Sequence, residues 1–340
     1  MTKIKTIILE FEDNSQLPNL YGEHNCHLAC IEQEIGVSFT VKGNILVIEG
    51  PKNPRETAKQ IITSLYEELE QGGEIAMADV DGAIRMADFL DASQEESITE
   101  RKTFAGKENR IRTRNAVISP RSNNQARYIQ ALRETNMTFG LGPAGTGKTF
   151  LAVAMAVSHL LEGKVEKIVL TRPAVEAGEK LGFLPGDMRE KVDPYLRPLY
   201  DALGHMISME QTEKRLENGD IEVAPLAFMR GRTLSNAFVI LDEAQNSSPM
   251  QMKMFLTRFG ENCRMVVCGD PSQVDLPNGT PSGLYHAMNI LKGIDDISFI
   301  KFTAADVVRH PLVGKIVHAY DLAEARHTKN DLAEARQTKK

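Results

Sequence analysis

The sequence predicts an α/β protein: a mostly parallel sheet with helices on both faces, preceded by a smaller α/β unit. Three observations predict it. Residues 142–149 read Gly-Pro-Ala-Gly-Thr-Gly-Lys-Thr, between an apolar run at 137–141 and a good helix former at 150–157. A second apolar run, 237–241, contains no polar residue and ends in Asp242 and Glu243; such a run suits a strand buried on both faces. A third expected strand, Arg264-Met-Val-Val-Cys268, ends in Gly269-Asp270-Pro271-Ser272-Gln273. Polar residues collected just past the C-terminal ends of such strands are expected where open α/β sheets place their ligands.

The elements follow in order. Residues 1–70 predict the smaller unit. Residues 6–11 alternate as a strand, and 25–34 carry helical spacing that Gly36 stops. Residues 37–41 and 45–48 form two strands around the turn Lys42-Gly43-Asn44. A helix opens at Asn53 or Pro54 and runs through Leu69, with Ala58, Ile61, Ile62, Leu65 and Leu69 on one face. Residues 71–118 read as a connector, acidic at first, with a helix near 79–91, then basic; 107–114 is expected to be an exposed turn or arm. The larger unit spans 119–320, its last strand at 297–302. In 321–340 the segment Asp-Leu-Ala-Glu-Ala-Arg occurs twice, which predicts a solvated terminal helix rather than a solenoid.

Composition narrows the class. Of 340 residues, 42% are hydrophobic, enough for a sizeable core. No apolar run approaches the roughly 18 residues of a membrane span. The first residues turn charged too soon for a signal peptide, so the expected location is the cytoplasm. Four cysteines give no disulfide framework. His24, Cys26, His27 and Cys30 invite a zinc reading, but no second ligand pair with the usual spacing follows, and Cys26 and Cys30 are expected on a helix's core face.

The net charge of −6 conceals an asymmetry: −12 over residues 1–100, +8 over 101–133 and −2 over the rest. The basic stretch, Arg110, Arg112 and Arg114 above all, could track a phosphate backbone. The plainer reading is a solvated linker.

The octet carries the chemistry. It fits G-x-x-x-x-G-K-[ST] without mismatch, and strand, glycine loop and helix are the context that gives this motif meaning. Gly142, Pro143, Ala144, Gly145, Thr146 and Gly147 form the phosphate loop, and its backbone N–H groups, which Pro143 lacks, would surround phosphate oxygens at a helix N-terminus. Lys148 is placed for the β- and γ-phosphates and Thr149 for Mg²⁺. Asp242 would hold the same Mg²⁺, and Glu243 would orient or deprotonate an attacking water. Gln273 is suited to sense the γ-phosphate or the water. Gln125, on a short helix before the first core strand, could pair with the N6 and N7 edge of adenine, which favours ATP.

Together, Asn124-Gln125, the octet, Asp242-Glu-Ala-Gln245 and Gly269-Asp-Pro-Ser-Gln273 resemble the ATP-binding half of superfamily 1 helicases, a RecA-like P-loop NTPase core. Residues 171–186, 225–233 and 242–246 resemble the PhoH-like family specifically, and the likeness covers about 119–320. It implies an ATPase that acts with RNA and, in many bacteria, a link to a YbeY-type endoribonuclease and ribosomal RNA maturation. Residues 1–70 are similar to a KH-like RNA-binding fold. There the expected Gly-x-x-Gly loop reads Gly22-Glu23-His24-Asn25, which should weaken a clamp on a nucleic-acid backbone. This favours a protein-contact surface.

A translocating helicase needs a second RecA-like body, and the sequence after Gln273 is too short for one. ATP is therefore expected between subunits of a homo-oligomer, such as a ring, with Arg230, Arg232 or Arg309 of a neighbour as arginine finger. Two rivals stay open: an ATP-driven switch that regulates a partner endoribonuclease without touching RNA, and a small-molecule kinase.

Overall fold

The computed structural model describes residues 6–70, 72–92, 109–173, 188–277 and 279–308. Its first unit is an antiparallel sheet of β1 (Thr6–Glu10), β2 (Ser38–Lys42) and β3 (Ile45–Glu49), in the order β1-β3-β2. Helices α1 (Leu17–Tyr21), α2 (Cys26–Ile35) and α3 (Lys52–Glu70) pack with it. Leu46 and Ile48 alternate on β3, and both are buried in one cluster with Leu20, Ile31, Ile61 and Leu65. The predicted face of α3 is thus the face that is buried.

Helix α4 (Met77–Ala92) places Val80, Ile84 and Ala87 in the same apolar cluster, so the first unit's core continues into what the sequence suggested was connector. Spacing of four and three residues puts these side chains on one helical face. Cys26 and Cys30 are half-buried free thiols, and Cys30 Sγ donates to Asp81 Oδ1 at 3.7 Å.

The described part of the basic arm departs from expectation as well. Strands β4 (Ile111–Arg112) and β5 (Val117–Ile118) form a short antiparallel pair, and Ile111 is fully buried in the main core. Arg110 is 8% exposed. Its Nη2 donates to Ser64 O at 3.2 Å and lies 3.9 Å from Glu67 Oε2, both on α3. Arg112 and Arg114 are exposed. Charge composition could not separate the three; contacts with Ser64 and Glu67 of α3 draw Arg110 alone inward.

The main sheet has six strands, all parallel: β6 (Met137–Leu141), β7 (Lys167–Arg172), β8 (Ile221–Pro225), β9 (Ala237–Leu241), β10 (Arg264–Gly269) and β11 (Ile297–Lys301), in the order β11-β6-β10-β9-β7-β8. The strand carrying Asp242 is separated from the glycine-loop strand by β10 alone. Residues alternate between faces: Phe238 and Ile240 join one core, while Ala237, Val239 and Leu241 join the other. Both faces are covered, which is why the run could contain no polar residue.

Helices α5 (Asn123–Glu134), α6 (Lys148–Leu161), α7 (Met188–Met206) and α8 (Met209–Asn218) follow the first of these cores; α9 (Pro249–Leu256) and α10 (Gly283–Ile290) cover the second. Ser122 caps α5 by accepting from Gln125 N, and Ser248 with Gln251 forms a capping box on α9. The two units meet where Arg121 grips Asp79 of α4, Nη2 to Oδ1 at 2.6 Å and Nε to the same oxygen at 2.9 Å. Among the described residues no helix is long and apolar enough to cross a membrane. The repeated tail, Arg309 and residues 174–187 lie outside the described residues.

Candidate nucleotide site

Glycine makes the loop geometry possible. Gly142 has φ +142°, and a Cβ there would lie 2.5 Å from Phe302 O. Gly147 has φ +83° and is the residue before α6, so the helix can begin at Lys148 directly after a left-handed turn. From β6 the chain enters the loop and then a helix almost wholly buried from Leu151 to His159, which fixes the loop against the core.

Lys148 is 8% exposed and folds over the loop it follows. Its Nζ donates to Gly142 O at 2.6 Å and Pro143 O at 2.7 Å, and lies 3.4 Å from Thr146 Oγ1. Burial lowers its ammonium pKa from the ordinary lysine value, against the raising influence of Cys268, Asp270, Asp242 and Glu243. A charge held in that surrounding is stabilised by any anion entering the loop.

Opposite it, Thr149 Oγ1 donates to Asp242 Oδ1 at 2.6 Å. Desolvation raises the Asp242 carboxyl above its usual range, and Glu243 adds to this, while the Thr149 hydrogen bond and Arg172 oppose it. A buried carboxylate with a hydroxyl at hydrogen-bond distance, its charge disfavoured by burial, suits a hard cation with oxygen ligands. The residues therefore fit Mg²⁺.

Glu243 follows at once, in the left-handed region (φ 50°, ψ 39°) that non-glycine residues rarely adopt. Its side chain, 37% exposed, lines an open cleft of about 240 Å³ together with Lys148, Thr149, Asp242 and Gln273. Gln273 is exposed, and its backbone N–H donates to Asp270 O at 3.1 Å. Of the octet, Ala144, Gly145, Gly147, Lys148 and Thr149 face the cleft; Thr146 is buried.

Gln125 is placed differently from expectation. It is 4% exposed, its Oε1 accepts from Arg121 N at 2.7 Å, and its Nε2 donates to Thr146 O at 3.1 Å. Both ends of the amide expected to read adenine are spent on the protein, so Gln125 braces the phosphate loop from behind. Asn124 Nδ2 donates to Asp306 Oδ2 at 2.9 Å, and Val308 N donates to Gly145 O at 2.9 Å, a second brace on the same loop.

The arginine candidates divide as well. Arg232 makes a bidentate pair with Glu222, 2.6 and 2.7 Å, which raises its pKa further. That pair gives it a structural role. Arg230 is exposed, just past the edge strand β8.

Three residues near the cleft were not singled out from sequence. Arg172 ends β7 and Gln245 follows Glu243; both bind the Glu243 carboxylate. Asp270 directly follows β10, is 7% exposed, and leaves Oδ2 without a hydrogen-bond partner. The available signal was the same for all: a polar residue at or shortly beyond the C-terminal end of an apolar strand, the edge that carries Asp242.

Residues 117–321 match the family described as PhoH-like protein. A "PhoH-like protein" of Bacillus subtilis is 48% identical over 308 residues, 89% of this chain and 93% of that protein. Another, from Synechocystis, is 45% identical over 90% of this chain and 91% of its own length. "Protein PhoH" of Escherichia coli K12 is 45% identical over 205 residues, 60% of this chain and 58% of that protein. With a parallel P-loop core, an intact phosphate loop and likeness running through both units, the chain belongs to the PhoH-like protein family, a family of P-loop NTPases.

Proposed function

We propose that this protein is a Mg²⁺-dependent ATP hydrolase whose turnover is coupled to RNA. The observation that carries the hydrolytic reading is Glu243: a carboxylate reaching the cleft one residue after the buried Asp242–Thr149 pair. Lys148 would neutralise charge on the β- and γ-phosphates, and the loop's N–H groups would orient them. Asp242 and Thr149 would hold Mg²⁺, which when bound supplies further charge neutralisation on the phosphates. Glu243 would accept hydrogen bonding from the attacking water and take its proton. Gln273, at the cleft's mouth, would report the γ-phosphate. The choice of ATP over GTP rests on the family likeness, since Gln125 is engaged elsewhere.

RNA coupling is supported by exposed Arg112 on β4 and exposed Arg114 in the turn to β5, within a stretch of strong positive charge. Arg110 is withdrawn from that surface by burial. Assembly into a homo-oligomer would let exposed Arg230 act on a neighbour's nucleotide, whereas Arg232 is engaged by Glu222. One observation favours a second reading, a nucleotide switch acting on a protein partner such as a YbeY-type endoribonuclease. The first unit is wired to the phosphate loop through Asp79, Arg121, Gln125 and Thr146.

The test is phosphate release with and without structured RNA at two salt concentrations, for wild type and Arg112→Ala/Arg114→Ala. RNA stimulation that fades with salt and is lost in the double variant is expected. Turnover indifferent to RNA at low salt would favour the switch.

A further inference from the structure

The Glu243 carboxylate is gripped from two sides. Arg172 Nη2 lies 3.1 Å from Oε1, and Gln245 Nε2 donates to Oε2 at 2.6 Å. Each donor is itself anchored. Arg172 Nη1 donates to Tyr195 O of α7 at 2.9 Å, so the guanidinium spans a helix and the cleft. Gln245 is 1% exposed, and its Oε1 accepts from Asp270 N at 3.1 Å, at the end of β10. The backbone adds a third tie: Asp242 N donates to Thr171 O at 2.9 Å, joining β9 and β7 where Arg172 and Glu243 emerge. Such over-determination is what a left-handed backbone at a glutamate requires in order to persist.

We propose that Arg172 and Gln245 are positioning residues for the hydrolytic step, fixing the Glu243 carboxylate at the wall of the cleft. The inference rests on the reading of this protein as an ATP hydrolase. Glutamate has three freely rotating side-chain bonds, and an unrestrained carboxylate at this site would sample many orientations. Donors already anchored to α7 and β10 need no reorganisation when substrate enters. Each Glu243 oxygen accepts one hydrogen bond or ion-pair contact in the structure, and carboxylate oxygens carry two lone pairs, so capacity for a water is left. A surface ion pair without anchors would add little. Here Arg172 is 22% exposed and held at its other nitrogen, which is why the pair is assigned an orienting role.

The experiment measures kcat and KM for Mg-ATP, and Kd for a fluorescent ATP analogue, in wild type, Arg172→Ala, Arg172→Lys and Gln245→Ala. Each substitution is repeated in a Glu243→Gln background. Arg172→Ala and Gln245→Ala are expected to lower kcat about 10- to 100-fold, the scale of a small misplacement of a reacting group. Kd should move less than about threefold, since neither residue belongs to the phosphate loop. Arg172→Lys should recover part of the rate. In the Glu243→Gln background the substitutions should cost nothing further, because they act through the lost carboxylate. Unchanged or increased kcat in Arg172→Ala overturns the proposal, as does an equal loss in both backgrounds. A wild type that binds the analogue but never turns over ATP would instead overturn the hydrolase reading, and this inference with it. Retained analogue binding shows that the variants fold.

Discussion

His159 shows how one residue links core packing to pH. It lies in α6, 3% exposed, its ring edge-on to Phe238 at 5.4 Å, with Nδ1 lacking a hydrogen-bond partner. Burial depresses its pKa from 6.5 to about 4; Arg264, Lys164 and Arg133 push the same way and Glu162 opposes them. A depressed folded-state pKa means the unfolded chain binds the proton first, so stability is complete above pH 6.5 and drains as pH falls toward about 4. His159→Leu should therefore lose less melting temperature than wild type between those limits. Parallel melting curves across that range would contradict the assignment. The same scale separates what was legible in sequence from what was not. That Lys148, Thr149, Asp242 and Glu243 would line one cleft was legible because each pair stands inside a short local motif at the end of an apolar run. The bonds of Gln125 to Thr146 and of Arg172 to Glu243 join separate segments, and residue type alone does not say which polar groups will meet.

At the scale of elements, the phosphate loop is a device clamped by its neighbours. Phe302 N donates to Leu141 O at 2.7 Å just where Gly142 must pass without a side chain. Gly142→Ala is expected to cost about 1–3 kcal/mol of stability from the forced backbone shift and to weaken nucleotide binding. A variant with unchanged melting temperature and affinity would show that the loop has more room than the geometry allows. Strand order is also an element-scale property. Apolar runs disclosed β6, β9 and β10, but not that β10 would lie between the other two, bringing Asp270 and Gln273 to the cleft. Helix α4 was legible in the sequence, but the partner of its apolar face, on α2 and α3, was not.

At the scale of the whole molecule, the first unit is not a loose appendage. Arg121 is held by Asp79, Gly82 packs beneath Arg121 with no room for a Cβ (2.9 Å), and Arg85 Nη1 donates to Ala305 O at 3.4 Å. These contacts converge on the two segments that brace the phosphate loop, 121–125 and 302–308. Arg121→Ala should thus speed amide exchange both in α4 and in residues 144–147, although Arg121 lies outside the cleft lining; faster exchange in α4 alone would mean the units are docked but not coupled. The function proposed for this cleft is hydrolysis of ATP. Its most direct test is steady-state phosphate release from Mg-ATP by wild type and Glu243→Gln, with nucleotide affinity measured in parallel. Equal affinity with turnover lowered about 10²- to 10⁴-fold, the usual contribution of a general base, is expected. Turnover equal to wild type in Glu243→Gln, or phosphate delivered to an acceptor other than water, would contradict it.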